Sequence, residues 1–128
     1  MKNYVAICLI SLLAIACKSK VANPDTGATY SNVNVDGAKE MIQNNKDLVI
    51  LDVRTPEETA EGMIENAIEI DYKASDFDAK IKELDKDKSY LVYCRSGGRS
   101  VSASEKMIAA GFKNVTNMEG GYMAWSEK

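Results

Sequence analysis

Two short runs, residues 48–53 (Leu-Val-Ile-Leu-Asp-Val) and 90–93 (Tyr-Leu-Val-Tyr), are apolar at nearly every position rather than at alternate ones. A strand with one wet face alternates apolar and polar residues, so runs of this kind belong to strands covered on both sides, as in a parallel sheet between helices. Residues 67–70 and 115–118 are weaker strand segments, and 32–35 read as an edge strand. Helical patterns lie between them. Asp36 is placed to cap a helix with Ala38, Met41 and Ile42 on one face, and Thr55-Pro56-Glu57-Glu58 has capping-box spacing with proline at the first helical position. Phe77, Ile81 and Leu84 follow the i, i+4, i+7 spacing behind Ser75, which predicts a helix over 76–84, and a further helix over 100–110 stops at Gly111. Short strands alternating with helices make the chain α/β, with a central parallel sheet and helices on both faces.

At 128 residues there is room for one globular domain. The sequence contains no His. That excludes Ser-His-Asp and Cys-His catalysis and any His-ligated metal, so a nucleophile must be activated by backbone dipoles or by cations. The 16 basic and 19 acidic residues give a net charge of −3, which is not the basic footprint of a nucleic-acid binder.

Residues 1–16 carry one charge, Lys2, followed by an apolar run from Tyr4 to Ala16 broken by Ser11. This run is shorter than the ~20 residues needed to cross a bilayer, and it reads as a secretory signal. Leu13, Ala14 and Ala16 ahead of Cys17 resemble the lipobox of bacterial lipoproteins, the other readings of this leader being a cleaved, freely soluble secreted protein and an uncleaved helical anchor. The resemblance implies cleavage before Cys17, acylation of Cys17, and a lipid-anchored protein of the bacterial cell envelope facing the periplasm. Residues 17–30, polar and containing Pro24 and Gly27, read as a tether, and residues 31–128 as the folded domain. With the leader and Cys17 set aside, Cys94 is the only thiol left in the chain.

Cys94-Arg95-Ser96-Gly97-Gly98-Arg99-Ser100 directly follows a buried strand and leads into a helix. Such turns form binding crevices at the carboxyl edge of a parallel sheet. Gly97 and Gly98 permit positive φ and turn successive N–H groups inward as an anion nest. The helix from Ser100 adds unpaired N–H groups, and Arg95 and Arg99 add full charges. A thiol there ionises below its free value of ~8.5 and becomes a nucleophile without histidine. The same loop suits an oxyanion, with backbone amides and Arg99 donating to its oxygens.

This loop resembles the active-site loop of single-domain rhodaneses, the thiosulfate sulfurtransferases. Two further signatures of that family flank it in order: Leu51-Asp52-Val53-Arg54-Thr55-Pro56-Glu57-Glu58 upstream and Gly120-Gly121-Tyr122-Met123-Ala124-Trp125 downstream. The resemblance implies a rhodanese-like sheet of about five parallel strands and a two-step exchange. Cys94 takes sulfane sulfur from thiosulfate or a similar small anion as a persulfide and passes it to cyanide or a thiol. It further implies that residues 95–99 hold the persulfide, Arg99 orients the donor, and Ser100 caps the helix or adds a hydroxyl. Asp52 and Arg54 support the site or form a structural ion pair, while Gly120, Gly121 and Trp125 serve turn and packing. No cofactor or metal is called for, and the protein is expected to be a monomer. Thr59 and Gly62-Met63-Ile64 depart from the family's usual aromatic and Gly-His-Ile.

Two other readings use the same loop. A phosphatase or arsenate reductase binds its anion by the same physics, but with C-x5-R spacing rather than the C-x4-R of Cys94 and Arg99. A non-catalytic persulfide carrier or redox-sensing envelope lipoprotein would need the identical residues.

Overall fold

The computed structural model describes residues 20–22 and 29–127. The leader and the acylation expected at Cys17 lie outside these residues. The elements in chain order are β1 (Lys20–Ala22), β2 (Thr29–Val33), α1 (Val35–Asn44), β3 (Val49–Asp52), α2 (Pro56–Thr59), β4 (Ile68–Glu69), α3 (Phe77–Lys82), β5 (Ser89–Tyr93), α4 (Gly98–Ala109), β6 (Asn114–Met118) and α5 (Gly121–Ser126).

Five strands, in the order β2-β6-β5-β3-β4, form the parallel sheet expected from the sequence, and β1 adds an antiparallel strand outside β2. The sheet therefore starts earlier than the sequence suggests. Lys20–Ala22, read as tether, pairs with Thr29–Ser31, and Tyr30 is a buried core residue. The helix of α1 also starts earlier, because Asn34 rather than Asp36 caps it: Asn34 Oδ1 accepts the Gly37 N–H at 2.9 Å.

Strand residues alternate between the two faces, and the apolar runs fill both cores. On one face Tyr90, Val92 and Cys94 of the β5 segment pack with Leu51 and Val53 under Phe77, Ile81, Ala103, Met107 and Phe112. On the other, Leu91 and Tyr93 pack with Ile50 against Val35, Ala38 and Met118, with Trp125 at the margin. Fully burying side chains such as Leu51 and Leu91 contributes about 1.5–3 kcal/mol each. Tyr90 stacks edge-on against Phe112 at 5.2 Å and donates its hydroxyl to Asp85 O, so its polar tip is satisfied. Because Cys94 lies two residues beyond Val92, the same alternation directs its side chain beneath α4 at the carboxyl edge of the sheet.

Candidate active site

The thiol of Cys94 lies at the floor of the turn between β5 and α4, and the residue is 1% exposed. Gly97 adopts φ 123°, a conformation that favours glycine, and its N–H points back to Cys94 Sγ at 3.1 Å. Gly98 does not share this geometry. It is the first residue of α4, which begins two residues before the expected Ser100, so one glycine makes the turn and the other opens the helix. A side chain at Gly98 would meet nothing within 4 Å, which leaves the outer side of the turn open.

The early start of α4 places Ser100 in its first turn, fully buried, with Oγ 3.4 Å from Cys94 Sγ. The Ser100 hydroxyl also donates to Gly97 O at 3.2 Å. In the protonated state the thiol donates to Ser100 Oγ and that hydroxyl donates onward to Gly97 O. Once the thiol ionises, the hydroxyl rotates to donate to sulfur. Burial opposes ionisation of Cys94, but the Ser100 hydroxyl and the N–H groups of Ser100, Gly97 and Ser96 outweigh it and lower the thiol below its ordinary range. These donors do the work that histidine does elsewhere.

The two arginines of the loop have different surroundings. Arg95 is exposed, and its side chain has no ion-pair partner among the described residues. Arg99, which the resemblance assigns to orienting the donor, places both terminal nitrogens on the Glu58 carboxylate, at 2.7 and 2.8 Å. Glu58 Oε2 also accepts the Thr55 N–H at 3.0 Å and the Thr55 hydroxyl at 3.1 Å, so the capping-box residue of α2 clamps the arginine of the loop as well. The Arg99 fork, against the opposing effect of burial, holds the Glu58 carboxyl down at about 2.

Asp52 and Arg54 form a buried ion pair. Arg54 Nη2 lies 2.7 Å from Asp52 Oδ2, and Nε donates to both carboxylate oxygens at 3.0 and 3.1 Å. The Arg54 backbone N–H adds a bond to Oδ1, and Nη2 reaches Gly62 O at 2.6 Å. The guanidinium rests on the Tyr122 ring, 4.2 Å from its centroid. The pair thus joins β3, the 60s loop and α5. The geometry is that of a buried ion pair.

Gly120 and Gly121 do more than turn the chain. Both have positive φ, and they aim the N–H groups of Tyr122 and Met123 at Cys94 O (2.8 Å) and Arg95 O (3.0 Å). The start of α5 therefore supports the peptide that carries the thiol. Sequence reasoning leaves out this support and the Glu58 clamp. The only local signals were a Gly-Gly pair and a Thr-x-x-Glu cap, and neither announces a partner that is distant in the chain.

The thiol and its donors thus lie together at the carboxyl edge of a small parallel sheet. The family profile of the rhodanese-like domain matches residues 34–128, and the chain belongs to that family. It is 44% identical over 93 residues to Bacillus subtilis YtwF, covering 73% of this chain and 87% of that protein. It is 30% identical over 96 residues to a sulfurtransferase of Allochromatium vinosum, covering 75% of this chain and 88% of that protein. Among solved structures, a rhodanese-related protein from Thermoplasma volcanium superposes with a TM-score of 0.68 at 37% identity. That match covers 77% of this chain and 92% of the other.

Proposed function

We propose that the protein is a sulfurtransferase that moves sulfane sulfur from thiosulfate or a similar donor, through a Cys94 persulfide, to cyanide or a thiol. The convergence of N–H and hydroxyl donors on Cys94 Sγ carries this reading, because it supports a thiolate in a site with no side-chain base. The Allochromatium relative, named a sulfurtransferase, supports the same direction.

In the first step the Cys94 thiolate attacks the outer sulfur of thiosulfate. A Cys94 S–S bond forms, the donor S–S bond breaks, and sulfite leaves with the electron pair. In the second step cyanide attacks the terminal sulfur of the persulfide and leaves as thiocyanate, returning the thiolate. A thiol acceptor would leave as a hydropersulfide. The N–H groups around Sγ stabilise the thiolate before and after transfer, so each half-reaction starts or ends on the anion that the loop holds best. Acylation of Cys17 would anchor this monomeric domain to the envelope, facing the periplasm, with β1 starting at Lys20 close to the lipid.

Steady-state turnover with thiosulfate and cyanide tests the proposal. Parallel double-reciprocal lines are expected, with loss of turnover in Cys94→Ser of about 1000-fold or more, since a serine hydroxyl is not ionised at neutral pH. A stable Cys94 persulfide with no cyanide turnover would instead mark the domain as a carrier.

A further inference from the structure

The direction of β1 bears on where a lipid on Cys17 would meet the domain. β1 runs antiparallel to β2, with Lys20 opposite Ser31 and Ala22 opposite Thr29. β2 is parallel to β6, and β6 to β5, whose last residue directly precedes Cys94. The amino end of β1 therefore points to the carboxyl edge of the parallel strands, the edge at which the thiol sits. Through Ser31, Thr116 and Leu91 the register puts Lys20 level with Leu91, three residues short of Cys94. Cys17 is likewise three residues ahead of Lys20, which limits its distance from that backbone to ~11 Å. Across the sheet, β1 and β5 are three strand spacings apart, about 14 Å. An anchor on so short a connection draws the carboxyl edge beside β1 toward the bilayer.

The side chains at this edge suit such a contact. Met123, whose N–H reaches Arg95 O at 3.0 Å, is 44% exposed, the most exposed large apolar side chain among the described residues. Apolar surface of this kind is buried when it enters the boundary between headgroups and acyl chains. Arg95 is exposed at the same edge, but so are Glu57 and Glu119. Charge therefore gives the edge no clear pull toward anionic lipid, and the anchor sets the approach.

We propose that the carboxyl edge of the sheet, with the mouth of the Cys94 loop and Met123, is the face that the domain turns to the bilayer, so that sulfur is exchanged at the headgroup layer. The inference rests on the acylation of Cys17 proposed above and goes beyond it by assigning an orientation. Had β1 run parallel to β2, its amino end would point to the opposite edge, and the same lipid would leave Cys94 facing solution.

The test uses the full chain, leader included, produced in a bacterium. After intact-mass measurement of the mature protein, it is reconstituted in phosphatidylcholine vesicles with a nitroxide on a fraction of the headgroups. A bimane fluorophore is placed on Met123→Cys at the carboxyl edge or on Lys88→Cys, just before β5, at the opposite edge. Cys94→Ser in every chain leaves the introduced cysteine as the only free thiol once Cys17 is acylated. Glu119→Cys, at the end of β6, gives a second reading of the carboxyl edge should a label at 123 disturb α5. The two edges stand ~20 Å apart along the strands, and headgroup quenching at 123 and 119 is expected to exceed that at 88 about threefold or more. Equal quenching at both edges, or stronger quenching at 88, would overturn the orientation while leaving the anchor and the transferase reading intact. A mature protein without acyl mass on Cys17 would overturn the anchor, and this inference with it, with no bearing on sulfur transfer.

Discussion

Replacing Gly121 by alanine is expected to slow sulfur transfer about 100-fold while leaving the fold in place. A Cβ on Gly121 would lie 2.5 Å from both the carbonyl carbon and oxygen of Arg95 and 2.6 Å from Cys94 O. All three are backbone atoms that cannot swing aside as the end of a side chain can. Gly121 also has φ +58°, so alanine adds ~1–2 kcal/mol of left-handed backbone strain. The chain must relieve the overlap by moving the Cys94–Arg95 peptide off the start of α5. That breaks the bonds from Tyr122 N and Met123 N and moves Sγ relative to Gly97 and Ser100. A misplacement of ~1 Å at a reacting atom costs ~100-fold. The thiol pKa should rise as its donors are lost, which the pH dependence of alkylation would report. A variant with wild-type turnover and an unshifted alkylation profile would show that the contact with α5 does not position the thiol.

A larger effect on stability is expected from Arg54→Met. Asp52 is fully buried, and Arg54 is the cation that pairs with its carboxylate, with the Tyr93 hydroxyl as a second, neutral partner. Removing that cation leaves an uncompensated buried charge, which costs about 3–5 kcal/mol. That is a large share of the ~5–15 kcal/mol that stabilises a typical domain. A fall in Tm of roughly 12 °C or more is expected, using ~4–8 °C per kcal/mol for a domain of this size. The double variant Asp52→Leu/Arg54→Met should recover much of the loss, because it removes both charges together. A Tm within ~3 °C of wild type for Arg54→Met, some two-thirds of a kcal/mol on the same scale, would show that the pair does not hold β3 to the 60s loop and α5.

The sheet was legible in the sequence because its central strands are buried on both faces. The runs at 48–53 and 90–93 have few polar residues to confuse with a one-sided strand, and they became β3 and β5 in register, Val49 opposite Tyr90. The ends of the elements were less legible because local rules compete there. Both Asn34 and Asp36 can cap a helix, and the choice fell to the residue whose side chain reaches the Gly37 N–H. β1 has only three residues, and its pairing with β2 is a tertiary event that composition does not signal.

Within the site, the loop from Cys94 to Ser100 was legible because its chemistry is local: a thiol, two glycines, two arginines and a helix start within seven residues. The positive φ expected at Gly97 is present, whereas Gly98 became helical because α4 began earlier than the apolar pattern alone suggested. What Arg99 binds was not legible. Glu58 lies 41 residues away in sequence and already had a sufficient local explanation as the last residue of a capping box. The support from Gly121 was hidden for a similar reason, since two adjacent glycines indicate a turn but not the backbone that will lie against it.

The most direct measurement is the intact mass of the folded domain before thiosulfate or a hydropersulfide, after it, and again after cyanide, with Cys94→Ser treated in parallel. The expected result is a gain of one sulfur atom on the wild-type protein that cyanide removes, and no gain on Cys94→Ser. A sulfur atom acquired equally by the serine variant, or no gain at all while Cys94 remains free and alkylates rapidly, would contradict transfer through a Cys94 persulfide.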